Sequence, residues 1–539
     1  MTAKPLMIQG TMSGVGKSLL VAGLCRVLAQ DGVRVAPFKS QNMALNSAIT
    51  DEGLEMGRAQ ALQAEAAGTE PRAAMNPILL KPTTDTGSQV VVNGKPVANM
   101  AAREYFGYRG SLRKTIMDAY GELAADFDVV LIEGAGSPVE LNLKRDDIVN
   151  MGMAQMAQSP VLLVGDIDRG GVFAQLIGTL QLLEPEERHM VRASVVNKFR
   201  GDISLFDEGV SILQQRMSVP VAGVVPYMHL DLDEEDSLSE QLNVRSHNKV
   251  LDVAVVRLPR ISNYTDFAPL AAHDLVGVRY VSRPSELGDP DLLVLPGTKS
   301  TLRDLQWLRD TGLADAFCNA ASHGTPTLGI CGGYQMLGLS IADPCSTEGG
   351  GTMDGLGLLP VRTTFEKSKH TVRSYGKVQD IGGPLAQMEG ATVSGYEIHM
   401  GTTTRESGTA LLTIRSNNGQ VREDGCALGN VYGCYLHGLF DEPEAGQALV
   451  EALLHAKGLA VCRDLPRNTP GHDGAAHTPG CHPWVYPNGV RTGVLPRSVR
   501  SISGIDMAAY RNQQLDLLAE GIRASMNMDL VYRIIEEGI

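Results

Sequence analysis

The sequence predicts an α/β protein with two parallel-sheet domains, the first a doubly wound sheet that opens on a glycine-rich turn. Three observations carry this. The chain has 539 residues, too many for one ordinary core. Between residues 6 and 226 short β-branched runs alternate with helix-like stretches, the pattern of parallel strands covered on both faces. The same alternation restarts near residue 251, after the acidic stretch "HLDLDEEDSLSEQ" (229–241), which reads as a solvated linker.

In order, the first strand is "LMIQG" (6–10), followed by a glycine-rich turn and the helical "KSLLVAGLCRVLAQDG". Five further buried-strand candidates are "VRVAPF" (33–38), "DVVLIEG" (128–134), "SPVLLVGD" (159–166), "RASVVNK" (192–198) and "VPVAGVVP" (219–226). In the second half "DVAVVRLP", "VRYVS", "DLLVLPGTKS" (291–300) and "TPTLGICGG" repeat the pattern, and beyond about residue 350 the segments become strand-rich. The expected division is 1–228, a linker 229–250, 251–446, an insertion 462–504 and a helical tail 505–539.

A net charge of −14 argues against a nucleic-acid or anionic-membrane partner. No run of about 18 apolar residues offers a membrane span, and the start "MTAKPLMIQG" lacks a signal-peptide pattern. Eight cysteines without paired spacing suit reduced thiols in a cytoplasm. "CRDLPRNTPGHDGAAHTPGCHPWVYPNGVRTGVLPRSVRSISG" (462–504) has the composition of a flexible loop. Its Cys462, His472, His477, Cys481 and His482 match no familiar zinc spacing.

The first turn, "GTMSGVGKS" (10–18), places Gly10, Thr11, Gly14, Gly16, Lys17 and Ser18 between a strand and a helix. Backbone N–H groups of such a turn converge on phosphate, and the helix adds its positive end. Lys17 reaches the terminal phosphates of ATP and the Ser18 hydroxyl ligates Mg²⁺. Thr11 stands where the strict pattern has glycine, which here comes one place earlier, at Gly10. Glu133 ends the strand of "DVVLIEGAGSP" at the carboxyl edge of the sheet, where a carboxylate can hold the same metal.

In the second half, "LGICGGYQMLG" (328–338) turns a strand directly into a helix at Cys331. Small neighbours tolerate a strained elbow, and the helix N-terminus favours the thiolate, the form that attacks. His437 in "YLHG" and His399 in "YEIHMG" are the candidate proton carriers. The backbone N–H groups of Gly297, in "LPGTKS", and Gly332 are the candidate oxyanion hole.

The first turn and "EGAG" resemble the dethiobiotin-synthetase-like branch of P-loop proteins. That resemblance implies ATP-driven activation of a carboxylate as an acyl phosphate. Cys331 in G-x-C-G-G, Gly297 in L-P-G-x-K-S and His437 in L-H-G resemble class I glutamine amidotransferases, which implies ammonia release from glutamine through a thioester. Many members carry a carboxylate two residues after the histidine, where this chain has Leu439. The expectation is therefore a dyad without a third member, as in the cobyrinate-amidating branch, or one that borrows Glu442 or Glu397.

"FKSQNMALNS" (38–47), "GRAQALQAEAA" (57–67), "MNPILLKP" (75–82), "DIDRGGVFA" (166–174), "NKFRGD" (197–202) and "EEDS" (234–237) resemble the cobyric acid synthase family. The likeness covers about 4–460 and resumes near "DMAAYRNQQLDLLAEGIRASMNMDLVYRIIEEG". It implies amidation of adenosylcobyrinic acid a,c-diamide at its b, d, e and g propionates, each amide using one glutamine and one ATP, with cobalt present only inside the corrin. It also implies a sheltered route for ammonia. Lys39, Asn42 and Asn46 follow the second strand and are expected to orient the carboxylate or γ-phosphate; Asn197 is expected to read the base. Two rivals are cobyrinic acid a,c-diamide synthase, with the same halves and two amides, and a partner-binding P-loop ATPase switch that leaves Cys331 and His437 without a role.

Overall fold

All six strand candidates of the first half enter one sheet in the computed structural model, which describes residues 3–83, 86–232, 249–417, 419–459 and 504–539. Most of the acidic linker (233–248, with "EEDS") and of the Pro/Gly-rich insertion (462–503, with its cysteines and histidines) lies outside those residues. The first strands are β1 (Lys4–Gly10) and β2 (Val35–Phe38). Six smaller ones follow: β3 (Gln41–Met43), β4 (Ser47–Ile49), β5 (Glu55–Gly57), β6 (Ile78–Pro82), β7 (Gly87–Val92) and β8 (Lys95–Ala101). The sheet is completed by β9 (Val129–Glu133), β10 (Val161–Asp166), β11 (Val191–Phe199) and β12 (Val221–Pro226).

The main sheet is parallel throughout, in the order β12-β11-β10-β1-β9-β2. Register places Ile8 beside Glu133 and Gly10 beside Val164, so the P-loop leaves the sheet between the ends of β9 and β10. Alternate residues of β1 serve two cores. Leu6 and Ile8 face the helix Lys17–Gln30, while Met7 faces the helices Arg113–Asp126 and Val172–Leu182. Each such fully buried aliphatic side chain contributes roughly 1.5–3 kcal/mol.

The C-terminal helices Met507–Ser525 and Met528–Glu537 pack into this first unit, with Leu515, Leu518, Ile522 and Ile534 in the same core as Leu24 and Val27. Gly23 permits the approach: a Cβ there would lie 2.8 Å from Ile522 and 3.0 Å from Leu518. Arg26 with Asp516 and Arg523 with Asp31 flank the contact. Strands β3, β6, β7 and β8 form a small second sheet, and β4 with β5 a hairpin.

The second unit carries β13 (Leu251–Val256), β14 (Val276–Val281), β15 (Leu292–Leu295), β16 (Thr327–Ile330), β17 (Ser340–Asp343), β18 (Gly351–Asp354), β19 (Val361–Val378), β20 (Thr392–Arg405), β21 (Leu412–Ser416), β22 (Val421–Asp424), β23 (Cys426–Leu428) and β24 (Val431–Cys434). Its central sheet runs β14-β13-β15-β16-β24-β23, parallel except at the β23–β24 edge. The strand-rich region after 350 is a second sheet in which the long β19 and β20 pair antiparallel. The central sheet thereby delivers the ends of β15, β16 and β24 to one edge, and with them Gly297, Cys331 and His437.

Candidate active site

At the carboxyl edge of the first sheet the turn 10–18 takes its shape from Gly14 (φ 74°) and Gly16 (φ 90°), in the left-handed region that glycine enters without strain. A Cβ on Gly16 would also lie 2.4 Å from the Asn197 amide nitrogen. Asn197 Nδ2 donates to the Val15 carbonyl at 2.7 Å and Lys198 Nζ to that of Gly14 at 2.6 Å, so the end of β11 braces the loop. Lys17 is buried and lies 3.2 Å from the Met12 carbonyl and 3.3 Å from that of Gly136.

Glu133 is the hub of this edge. Its Oε1 accepts the Ser18 hydroxyl at 2.8 Å and the Lys39 ammonium at 2.9 Å, and its Oε2 accepts Gln63 Nε2 at 2.7 Å. Burial opposes ionisation, yet Lys39, with hydrogen bonds from Gln63, Lys39 and Ser18, holds the carboxyl below its usual range. A hydroxyl and a carboxylate oxygen this close are the hard oxygen donors Mg²⁺ requires. Gln63 adds a buried Oε1 without a hydrogen-bond donor among the described residues, the kind of acceptor a cation or its water satisfies. The residues present therefore fit Mg²⁺.

Asn42 is buried and donates to Gln60, which lies 3.5 Å from Glu133; Asn76 donates to the Lys39 carbonyl, and the Asn46 carbonyl accepts Arg58 N–H. Lys39 and Asn42 thus join the Glu133 network. The Asn46 carbonyl accepts at the start of the helix Arg58–Ala66. Gln60 and Gln63 were not singled out in the sequence. Their signal is slight: two glutamines three apart, on one face of an otherwise alanine-rich helix.

In the second unit Cys331 is the elbow between β16 and the helix Gly332–Leu337, at φ 52° and ψ −109°. A non-glycine residue at positive φ stores strain, and packing enforces it. A Cβ on Gly333 would lie 1.8 Å from the Leu295 carbonyl oxygen. The sulfur is 3.7 Å from the Ile398 carbonyl. Gly332 abuts Thr298, and the Gly297 Cα hydrogens point toward the imidazole, where a Cβ would lie 2.9 Å from His437 Cε1. The structure brings Cys331, Gly297, Gly332 and His437 to one place. The 298–301 turn is held by Asp304, which accepts both the Thr298 hydroxyl and Arg260 N–H.

His437 is completely buried. Its Nδ1 lies 2.7 Å from Asp266 Oδ2, and the other Asp266 oxygen accepts Gly438 N–H at 3.0 Å. Backbone pairing with Tyr396 and a stacked Tyr396 ring fix the imidazole plane. Its Nε2 has no hydrogen bond of ordinary length among the described residues, and Cys331 is its electrostatic neighbour. Burial disfavours the charged ring, but Asp266 and then Cys331 outweigh it and push His437 up to about 10.

Residues 6–238 match the CobQ/CobB/MinD/ParA nucleotide binding domain and residues 252–445 the CobB/CobQ-like glutamine amidotransferase domain. The chain is 47% identical over 541 residues to a cobyric acid synthase of Ruminiclostridium cellulolyticum, covering 100% of this chain and 98% of that one. It is 48% identical over 554 residues to that of Lachnoclostridium phytofermentans, with 100% of both covered. To that of Salmonella typhimurium it is 46% identical over 537 residues, covering 99% and 98%. The chain belongs to the cobyric acid synthase family. It is a glutamine-dependent amidoligase.

For a member of the cobyric acid synthase family without an acid at position 439, the structure corrects the expectation about a third group. Neither Glu442 nor Glu397 serves His437. Glu442 accepts the Ser394 hydroxyl at 2.6 Å, and Glu397 accepts Ser374 at 2.9 Å and pairs with Arg422. The carboxylate is Asp266, 171 residues upstream, in the turn Tyr264–Phe267 after β13. Sequence held no local signal for it, since "NYTDF" is an ordinary loop until the fold closes. His399 lies on the other face of β20, its Nδ1 2.8 Å from the Gly401 carbonyl and its ring stacked on Tyr435. With His370 and Glu397 it forms the ligand-like cluster of the described residues. Arg422 already contacts the Glu397 oxygen that faces both imidazoles, so a protein cation fills that position.

Proposed function

We propose that this chain carries out the ATP- and glutamine-dependent amidation of the b, d, e and g propionates of adenosylcobyrinic acid a,c-diamide, giving adenosylcobyric acid in cobalamin biosynthesis. The observation that carries this reading is the presence, in one chain similar over its whole length to cobyric acid synthases, of a P-loop edge centred on Glu133 and a Cys331–His437–Asp266 array.

In the second unit, the Cys331 sulfur, beside the imidazole of His437, attacks the γ-carboxamide of glutamine. The Gly297 and Gly332 N–H groups receive the oxyanion. His437 protonates the leaving ammonia, and Asp266 keeps the ring in the tautomer and orientation that both proton transfers need. Water then releases glutamate from the thioester. In the first unit, Lys17 and the loop N–H groups align ATP, and a propionate oxygen attacks the γ-phosphorus. ADP leaves with the electron pair of the broken P–O bond. Ammonia then displaces phosphate from the acyl phosphate and leaves the amide. Ser18 and Glu133, with Gln63 beside them, would hold Mg²⁺, which would supply charge neutralisation on the phosphates. Lys39, already on Glu133, orients the propionate or the γ-phosphate, and Asn42 steadies Gln60 behind it. Asn197 reads the base while its amide nitrogen braces the loop.

Mass spectrometry of the corrin after incubation with ATP, Mg²⁺ and glutamine tests this. Four amide additions are expected. Two additions to corrin lacking the a and c amides would assign the diamide synthase reaction instead, and ATP hydrolysis without any amide would favour the partner-switch reading.

A further inference from the structure

"DIDRGG" is a motif to which the mechanism above gives no role. It spans the end of β10 and the turn into the helix Val172–Leu182. Because β10 pairs with β1, with Gly10 opposite Val164, this turn emerges beside the P-loop on the side away from Glu133. Asp166 shapes it: its buried Oδ1 accepts Asp168 N–H at 2.8 Å and Arg169 N–H at 3.3 Å. Gly170 (φ 78°) and Gly171 (φ 74°) then reverse the chain.

Two ties fasten the turn to the P-loop. Lys198 Nζ lies 3.3 Å from Asp166 Oδ2 while donating to the Gly14 carbonyl at 2.6 Å. Gln175 accepts the Thr11 hydroxyl at 3.1 Å and donates to the Gly170 carbonyl at 3.1 Å. Between these ties the Arg169 side chain lies over the loop, a terminal guanidinium nitrogen 3.8 Å from where a Cβ of Gly14 would stand. Its side chain is 61% exposed and its ion pair with Asp166 is long, 4.0 Å.

We infer that Arg169 is an arginine finger supplied in cis, donating to the γ-phosphoryl oxygens as the group passes from ATP to the substrate carboxylate. The inference rests on the amide-synthetase reading above. Charge in this transfer spreads over the three equatorial phosphoryl oxygens while the bond to ADP breaks. Lys17 and Lys39 are buried on the Glu133 side of the loop and Lys198 is held by Asp166 and Gly14, so Arg169 adds an exposed cation from the opposite side. A planar guanidinium over Gly14 meets two oxygens at once, which an ammonium cannot. The Asp166 scaffold makes the finger part of the loop architecture, so no partner protein has to provide it.

The test compares wild type with Arg169→Ala and Arg169→Lys, using ammonium as nitrogen donor so that Cys331 chemistry is bypassed. A drop in kcat of about 10²–10³-fold for both variants is expected, with the dissociation constant of a non-hydrolysable ATP analogue changed less than about threefold. Wild type should trap ADP with aluminium fluoride and Mg²⁺, and neither variant should. Amidation within about threefold of wild type would overturn the inference, as would a loss of analogue binding that matches the loss of rate. If wild type adds no amide at all, the synthetase reading fails. Trapping then still decides for Arg169, supporting it if only wild type traps and refuting it if all three do.

Discussion

The chain contains two strand–turn–helix junctions that do opposite things with the same geometry. At residues 10–18 the turn is relaxed: Gly14 and Gly16 take the left-handed angles, and the backbone itself is the working surface. At residues 330–333 a cysteine takes the left-handed angle, and a single side chain is the working surface. The first junction binds a diffuse polyanion, which many weak donors hold best. The second presents one nucleophile, which must stand clear of its own helix. Strain is absent where the loop must hold a ligand and present where it must aim an atom.

The most severe way to break the second junction is Cys331→Ala. Glutamine-supported amidation should fall by about 10⁴-fold or more, read as glutamate release. Asp266→Asn comes next, with a glutaminase loss of about 10²–10⁴-fold, because the ring loses the partner that sets its tautomer. At the first junction, Glu133→Gln should lower ATP-dependent amidation by about 10²–10³-fold and raise the Mg²⁺ requirement. Glutamate release from glutamine by the same variant, followed in parallel, shows whether the two junctions fail separately. Gln63→Ala, which removes a neighbour of the metal position, should cost about tenfold in Mg²⁺ affinity.

The smallest effect separates the junctions by pH. His437 is pushed up to about 10 from an ordinary 6.5, so folding favours its protonated form. That stabilisation is full below about 6.5 and is lost as pH rises through about 10. Chemical denaturation of wild type should show stability falling across this window, and Asp266→Asn should flatten the fall. An unchanged slope in the variant would place the raised proton affinity elsewhere.

The two junctions were not equally legible. The first is nearly contiguous. Its loop, its strand-end acid and its alternating core all follow from local pattern, and the parallel sheet then brings Ser18 and Glu133 to 2.8 Å. The elbow at Cys331 was equally plain. What eluded the sequence was convergence. Asp266 reaches His437 only because β13 and β24 end at the same edge, and an acid in the loop "NYTDF" resembles any solvated aspartate. Gln63 and Gln60 look like surface residues until the helix Arg58–Ala66 turns them onto Glu133. The C-terminal helices likewise gave no sign that their apolar face belongs against the helix after the P-loop, some 490 residues earlier in the chain.

The central claim is that one chain joins an ammonia source to a separate ATP-dependent amide synthetase. It is tested most directly by giving the Cys331→Ala protein ATP, Mg²⁺ and the corrin substrate with either glutamine or ammonium, and weighing the product. The account predicts no amide with glutamine and the full set of four with ammonium. Amide formation from glutamine by this variant, or none from ammonium while wild type remains active, would contradict it.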